Sequence, residues 1–268
     1  MERRTAGILI GILVLLCCGL ALSVLYPFTT SAPHAAKPPG EQFSAGSPEA
    51  FSATGSIVVD GEEQLAFDGV VTPEGGWYQR VSEANVTSEE YRPPSGGPIY
   101  ERLVVVGRQR AERLREGVVE DEDRELLRAT RSGDRSTFVI ENDAAGDTQP
   151  VSGTASVFIA SLAVAGYDEG GTGSSPDTTY EPRAGWYEGA EAYRITDASG
   201  EVRVDPDGPV VTSANVTWDV TAPAGSYAEY ALVRLTGDDP TTHRITFERD
   251  PDGSDLERPS WIDDTDPG

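Results

Sequence analysis

One apolar run near the N-terminus constrains this chain more than any other feature. Residues 6–25 read AGILIGILVLLCCGLALSVL, carry no charge and contain one hydroxyl, at Ser23. A helix of this length rises about 30 Å, which matches the hydrocarbon core of a bilayer. Two arginines precede the run, so the positive-inside rule predicts a cytoplasmic N-terminus, 1–5, and an external C-terminal part. We therefore expect a single-pass cell-membrane protein anchored by residues 6–28.

A cleaved signal peptide is the alternative interpretation of this run. Its apolar core is usually about 7–15 residues long and ends in a small-x-small site. The nearest such site, 30–32, is followed by Pro33, which obstructs cleavage. Lipid modification needs a small residue before the cysteine, but Leu16 precedes Cys17. Both cysteines lie in the run, so the external part has no disulfide and depends on its own core.

The external part is strongly acidic. Residues 38–268 hold 44 acidic residues and 18 arginines, a formal charge of −26, and Lys37 is the single lysine of the chain. At molar salt the Debye length falls to about 3 Å, which screens such self-repulsion. This composition is typical of a halophilic archaeon, and a GC-rich acidic bacterial protein is the alternative. Because phosphate binding needs a basic patch, nucleic acid is not an expected partner.

Composition divides the remaining chain into a stalk, one domain and a tail. Residues 29–54 are rich in Ser, Ala, Pro and Gly without periodicity, which predicts a flexible stalk. Residues 55–249 show short apolar alternations between turn residues, which predicts one extracellular β-rich domain. Residues 250–268 form an acidic, partly disordered tail that Trp261 and Ile262 can pin to the domain.

The alternations predict a predominantly antiparallel sheet. Asp60-Gly61 separates the apolar residues of a first hairpin, and 125–141 reads as a second hairpin with Phe138 and Ile140 on one face. Further strands are expected at 77–81, 100–106, 193–195, 202–204, 216–220, 227–235 and 244–249. A turn at 205–208 has the proline and glycine that a type I turn favours.

Two segments depart from the strand pattern. Residues 107–122 fit either an exposed strand or a short helix, and we favour the strand. Residues 154–165 predict one buried helix, which Ser152 or Thr154 can cap and Gly166 can end in the left-handed conformation. Its apolar residues, at i, i+3, i+4 and i+7, are Ala155, Phe158, Ile159 and Leu162. The expected fold class is mainly β (α+β): a curved antiparallel sheet or half-barrel packed on a buried helix, plus the transmembrane helix.

No motif for enzymatic chemistry is present in the sequence. The two histidines, His34 and His243, are far apart, and the G-x-S-x-G, H-E-x-x-H, C-x-x-C and P-loop patterns are missing. The acidic runs 120–123 and 250–253 lack EF-hand spacing, since the twelfth position of the second is Trp261. We expect a non-enzymatic protein without metal or cofactor. A carboxylate pair for glycoside hydrolysis has no fixed spacing, so a surface hydrolase stays as a remote alternative.

Two N-x-T tripeptides are candidate N-glycosylation sites, at Asn85 and Asn215. Asn215 is the better candidate, because it faces solvent if Val216 and Trp218 face the core. Chance occurrence of so short a motif is the alternative.

Aromatic residues are spread over many of the predicted elements. The candidates for lining an apolar ligand groove between sheet and helix are Trp77, Phe158, Trp186, Trp218 and Tyr230. Ordinary core packing explains the same residues and is the more common use of aromatic side chains.

The arrangement of the external part resembles the lipoprotein-carrier (LolA-like) half-barrel. The matching stretches are the hairpins from 56 to 141, the helix at 154–165, the strands YRITDASGEVRVD, NVTWDV and HRITFERD, and a closing RPSWI. The resemblance implies a curved sheet whose concave side takes lipid chains or acylated proteins. It implies no catalytic residue. One visible helix, where the family has more, implies a shallow cavity or none.

Two functions follow as expectations. The first is a membrane-anchored extracytoplasmic binding module for a lipid or another apolar ligand, with the membrane and a lipid or acylated protein as partners. The alternative is a structural or interaction protein of the cell envelope with a packed core and no small-molecule ligand. The volume between sheet and helix distinguishes them.

Overall fold

The structure is a computed structural model of the whole chain. It describes residues 43–46, 49–143, 150–170, 177–187, 193–221, 224, 227–237, 239–253 and 255–263. The predicted anchor at 6–28 lies outside these residues. Within the described part, no helix is both long enough and apolar enough to cross a membrane.

Antiparallel strands make up most of the described chain. The strands are β1 (Phe51–Val59), β2 (Glu62–Val71), β3 (Trp77–Glu83), β4 (Val86–Arg92), β5 (Ile99–Val106), β6 (Arg124–Ser132), β7 (Arg135–Asn142), β8 (Gly166–Glu169), β9 (Thr178–Arg183), β10 (Gly185–Tyr187), β11 (Tyr193–Val204), β12 (Val211–Val220) and β13 (Thr241–Asp250). The helices are α1 (Arg108–Glu120), α2 (Val151–Leu162), α3 (Tyr227–Thr236) and α4 (Ser260–Asp263). The prediction of a mainly β fold is confirmed.

The strands form one open, curved sheet. Its order is β6-β7-β5-β4-β3-β2-β1-β13-β12-β11-β9-β8, and β10 pairs with β11 beside β9. The first and last strands are neighbours at the centre, where Ser56 lies opposite Thr246. The two halves of the chain therefore extend in opposite directions from one central pair.

The predicted turns are present. Asp60 and Gly61 both have positive φ, 51° and 81°, as a two-residue hairpin turn of primed type requires, and they join β1 to β2. The second predicted hairpin is β6–β7, and its inward residues Phe138 and Ile140 are buried. In the β11–β12 turn, the Gly208 amide donates to the Asp205 carbonyl.

Two predicted strands are helices instead. The strand prediction for 107–122 is wrong: helix α1 buries Ala111 and Val118 and packs Leu114 against β5 and β7, at the i, i+3, i+7 spacing of one helix face. The strand prediction for 227–235 is also wrong, since α3 occupies this range. Its Glu229 in the first turn and Arg234 in the last turn suit the helix dipole.

The helix predicted at 154–165 is present as α2, three residues nearer the N-terminus. One side of α2 is buried and the other faces solvent, where Val157 is 50 % exposed, so the helix is half-buried rather than enclosed. The predicted left-handed end is wrong, because Gly166 begins β8 without positive φ. The cap position is Pro150, not Ser152 or Thr154.

The main core lies between α2 and one face of the sheet, which we call the inner face. It includes Phe51 of β1 and also Phe43, which is 4 % exposed. Ser44 pairs with Val210 at the start of β12. The folded unit therefore begins before residue 55, and the last part of the predicted stalk is packed against the sheet.

Two smaller clusters complete the hydrophobic contacts. One lies under α1 on the inner face and contains Val105 and Ile140. The other lies on the opposite, outer face, where Trp261 and Ile262 of α4 pack against Tyr91 and Val139. The outer cluster fixes the C-terminal segment to the sheet.

Candidate functional site

Three of the five predicted groove residues belong to the main core. Trp77 and Trp218 are 1 % exposed, and Phe158 is 0 % exposed. The Phe158 ring lies 5.8 Å from the Phe67 ring and 6.4 Å from the Phe247 ring, measured between centroids. Phe158 and its two ring neighbours therefore fill the space between α2 and the centre of the sheet.

The other two predicted groove residues are elsewhere. Tyr230 is half-exposed on α3, outside the main core cluster. Trp186 belongs to β10, but its side chain lies outside the described part. The predicted set therefore does not line one common groove.

Both candidate glycosylation sites are exposed. Asn85 lies in the turn between β3 and β4, and Asn215 lies on the outer face of β12 with Val216 and Trp218 buried beneath. Asn215 also borders an open polar hollow of about 610 Å³, which is lined by Thr54, Ser56, Ser213, Thr246 and other residues. The Asn215 amide is thus accessible to a large group.

A second groove, lined by apolar, aromatic and charged side chains, lies where the C-terminal segment crosses the outer face. We call residues 255–263 the strap, and the space of about 660 Å³ between strap and sheet the strap groove. From the sheet it is lined by Asp68, Val70, Tyr78, Glu89 and Arg102, and from the strap by Asp255, Leu256, Glu257, Arg258, Pro259, Ser260 and Trp261. Its volume is in the range of about 300–1,000 Å³ that is common for small-molecule sites.

The register of four strands creates the polar wall of the strap groove. Asp68, Arg80, Glu89 and Arg102 lie opposite one another on β2, β3, β4 and β5. The Arg102 Nη2 atom donates to Glu89 Oε1 at 2.5 Å, and Arg80 Nε lies 3.8 Å from the same oxygen. Since the Glu89 side chain is only 5 % exposed, the two arginines stabilise a buried charge.

Two aromatic side chains, Tyr78 and Trp261, also line the strap groove. The Arg102 guanidinium lies over the Trp261 ring, with 5.7 Å between its central carbon and the ring centroid. Burial, and then the Glu89 carboxylate, raise the pKa of Tyr78 to about 12, so its hydroxyl stays protonated at neutral pH. The strap groove thus combines aromatic faces, hydrogen-bond donors and carboxylate acceptors.

A different polar cluster lies on the inner face between α1 and α2. Glu90 and Glu101 are directly opposite on β4 and β5, and Arg124 pairs with Glu101. Gln79 Nε2 donates to Glu90 Oε2 at 3.1 Å, and Thr154 Oγ1 donates to Gln79 Oε1 at 3.1 Å. Burial, and then the Glu101 carboxylate, raise the pKa of Glu90.

A carboxyl of raised pKa, Glu90, beside a second carboxyl that pairs with an arginine resembles the setting of a general acid. Its hydrogen bonds, however, tie α2 to β3 and β4 through Gln79, which is 6 % exposed. The cluster therefore acts as a polar link between helix and sheet.

The acidic runs do not form a metal centre in the described part of the chain. No group of three or more His, Cys, Asp or Glu side chains is placed there to hold an ion. In the second run, Asp250 Oδ1 accepts a hydrogen bond from the Asp252 amide at 2.9 Å, which is a local turn contact.

Sequence reasoning did not find the strap groove. Its sheet residues come from four strands and meet the strap only through the tertiary fold. The one local signal was an apolar Trp261-Ile262 pair within an acidic tail.

Fold and site together define an antiparallel β protein with a packed interior and grooves on its surface. The sequence matches no protein-family model, no curated protein and no solved structure at a significant level.

Proposed function

We propose that this chain is a membrane-anchored interaction protein of the cell envelope that contacts its partners through its surface. The packing of the main core supports this choice over an apolar carrier. Trp77, Phe158 and Trp218 are each at most 1 % exposed and belong to the core on the inner face, the side on which a carrier would hold a lipid chain. No enzymatic step is part of the proposal.

The proposed location rests on the sequence. Residues 6–28 would anchor the chain, with the β-rich domain on the extracellular side and the N-terminus in the cytoplasm. The charge of −26 over residues 38–268 suits a halophilic envelope, where molar salt screens repulsion. A glycan on Asn215 or Asn85 is part of the same proposal, because both amides are exposed.

Binding of an apolar ligand is the second candidate, and one observation favours it. A mostly apolar hollow of about 300 Å³ lies on α2 and is lined by Phe43, Ala45, Ile159 and Ala163, among others. Together with the LolA-like arrangement, it supports a site for a short acyl segment rather than an enclosed lipid.

The deciding experiment combines mass spectrometry of organic extracts with a core substitution. The protein is expressed in a halophilic host and purified in high salt. We expect no stoichiometric lipid, and we expect Trp218→Ala to cost about 3–5 kcal/mol of unfolding free energy because it leaves a cavity. Leu235→Ala, at a side chain 84 % exposed, is the control and should change stability by less than about 0.5 kcal/mol.

A contrary result is equally specific. A lipid that co-purifies at one per chain, together with a small cost for Trp218→Ala, would reject the packed-core proposal and favour the carrier.

A further inference from the structure

Helix α1 begins with a cluster of arginines that departs from the charge of the rest of the domain. Residues 108–115 contain four arginines and one glutamate, a formal charge of +3, whereas residues 38–268 together carry −26. Acidic side chains stabilise the first turn of a helix, yet the first turn of α1 contains none. The stability of the helix therefore does not explain the arginines at this end.

Two of these arginines line a hollow between α1 and β6, the last strand of the sheet. The hollow measures about 280 Å³, and we call it the arginine hollow. Arg108 and Arg115 reach it from α1, where they lie about two helical turns apart, and Arg131 reaches it from β6. All three side chains are exposed, so the hollow is open to solvent.

These three arginines are available to an anion. None of them forms an ion pair with a carboxylate of the described residues, whereas Arg102 and Arg124 do. Arg131 donates one hydrogen bond, from Nε to the Gly133 carbonyl at 3.1 Å, which leaves its Nη groups for a ligand.

The rest of the lining adds a hydroxyl donor and an acceptor. Ser136 of β7 is 7 % exposed, and its hydroxyl makes no hydrogen bond to another described residue. A serine hydroxyl can donate to an oxyanion. Glu112 also lines the hollow, where its carboxylate accepts from a ligand hydroxyl and repels a second negative charge.

Charge and shape together narrow the ligand. Guanidinium groups from two elements suit a tetrahedral phosphate or sulfate group, whose oxygens point in several directions, better than a planar carboxylate. Carboxylates are abundant in this chain, and no described one pairs with these arginines. Because Glu112 disfavours a dianion, a singly charged ester with free hydroxyl groups fits best.

We propose that the arginine hollow binds a singly charged phosphodiester or sulfate ester of a polyhydroxyl compound. Arg108, Arg115 and Arg131 hold the oxyanion, and Glu112 accepts from a hydroxyl of the ester. An envelope glycan and a phospholipid headgroup both offer this chemistry. The inference names a partner chemistry for the proposed surface function and rests on that function only for the source of the ester.

The test uses the full chain at pH 6 and constant molar KCl, in lauryldimethylamine oxide, a detergent without phosphate or sulfate. Glycerophosphoglycerol and glucose 6-sulfate are titrated, and glucuronate is the comparison because it carries the same charge on a carboxylate. Arginine Nε–H signals are recorded by NMR and assigned by Arg→Gln substitution. We expect at least one ester to move the Arg108 and Arg115 signals saturably, and glucuronate to bind at least about fivefold more weakly.

Matched variants separate the hollow from the general charge of α1. Arg115→Gln and Arg131→Gln should each weaken ester binding at least about fivefold, because each removes charged hydrogen bonds. Arg113→Gln removes the same charge from an exposed position of α1 outside the hollow and should leave the affinity within about twofold. All three positions are exposed, so the variants should fold as the parent does.

Nanodiscs distinguish the two sources of the ester. The full chain is placed in phosphatidylcholine discs with or without phosphatidylglycerol, and the Arg115 signal is compared. A shift caused by phosphatidylglycerol alone assigns the site to a lipid headgroup, whereas a shift that needs a soluble ester assigns it to a glycan.

The inference is wrong if neither ester moves the arginine signals, if Arg113→Gln weakens binding as much as Arg115→Gln, or if glucuronate binds as tightly as the esters. A small, open hollow gives a weak complex that is lost on purification. Lipid extraction and the Trp218→Ala measurement therefore remain tests of the core alone, and the proposed function can stand when this inference fails.

Discussion

Helix α2 approaches the sheet so closely at Gly55 that a single methyl group should disturb the packing. A Cβ atom on Gly55 would lie 2.8 Å from both Cδ1 and Cε1 of Phe158. Phe158 is 0 % exposed and has ring neighbours, so it cannot easily move aside. Overpacking of this kind costs about 1–3 kcal/mol. We therefore expect Gly55→Ala to destabilise the protein by this amount.

The assay is denaturant unfolding at constant molar salt, with thermal unfolding as a second measurement. Phe158→Leu removes the clashing ring atoms, so the double variant Gly55→Ala/Phe158→Leu should be more stable than additivity predicts, by about 1 kcal/mol. Gly153→Ala is the matched control, because Gly153 lies in α2 with nothing within 4 Å of the added Cβ. It should stabilise the helix by up to about 1 kcal/mol.

The reasoning fails if Gly55→Ala is neutral or if the two substitutions are additive. Either outcome would mean that α2 stands away from β1 and that space exists between helix and sheet, as the apolar-ligand interpretation requires.

Three further predictions concern charge. The pKa of Glu90 in the folded state is raised above its ordinary 4.5. At pH values between the unfolded and the folded pKa, the folded state therefore holds a proton that the unfolded state has lost. The free energy of unfolding falls as the pH rises through this interval. Glu90→Gln should therefore be more stable than the parent at pH 7 but not below about pH 4, in urea unfolding at both pH values. Arg102→Met should lower the free energy of unfolding by about 3 kcal/mol, because it leaves the buried Glu89 carboxylate without its closest partner. The double variant Glu89→Met/Arg102→Met should recover most of this loss. If the single and the double variant lose the same stability, the ion-pair argument is contradicted. Residues 38–268 should lose cooperative thermal unfolding when KCl falls from molar to tens of millimolar, and salt-independent melting would reject the halophile interpretation.

The sheet was predictable because its signals are local. Asp60-Gly61 encodes a hairpin turn, and the alternation at Val216 and Trp218 identifies the inner face before any partner strand is known. Such patterns can be recognised from a turn residue and from the alternation of apolar and polar residues along one strand.

The missed helices have a physical reason. In α1 only Ala111, Leu114 and Val118 carry the helical period, and the arginines between them suit an exposed strand as well. In α3 the run around Tyr230 contains enough aromatic and β-branched residues to read as a strand. In both segments, packing against the rest of the protein rather than the local sequence pattern determines that the chain is helical.

The candidate site was not predictable for a related reason. Glu89 and Arg102 are 13 positions apart, and Trp261 meets them only after the last strand is placed at the centre of the sheet. Spacing along the chain gives no sign of this contact. Of the aromatic residues that the sequence singled out for a groove, Trp77, Phe158 and Trp218 belong to the main core instead.

The pairing of the strands also indicates which end of the domain the strap groove occupies. Ser44 joins the sheet beside Val210, at the end where β12 begins and β13 ends. The pairing Ser52–Val70–Tyr78 continues across the sheet from that end and reaches the groove. Helix α3 lies at the other end, between Val220 and Thr241. The strap groove and the first described residues of the chain, Phe43 and Ser44, therefore lie toward the same end of the sheet, opposite to α3.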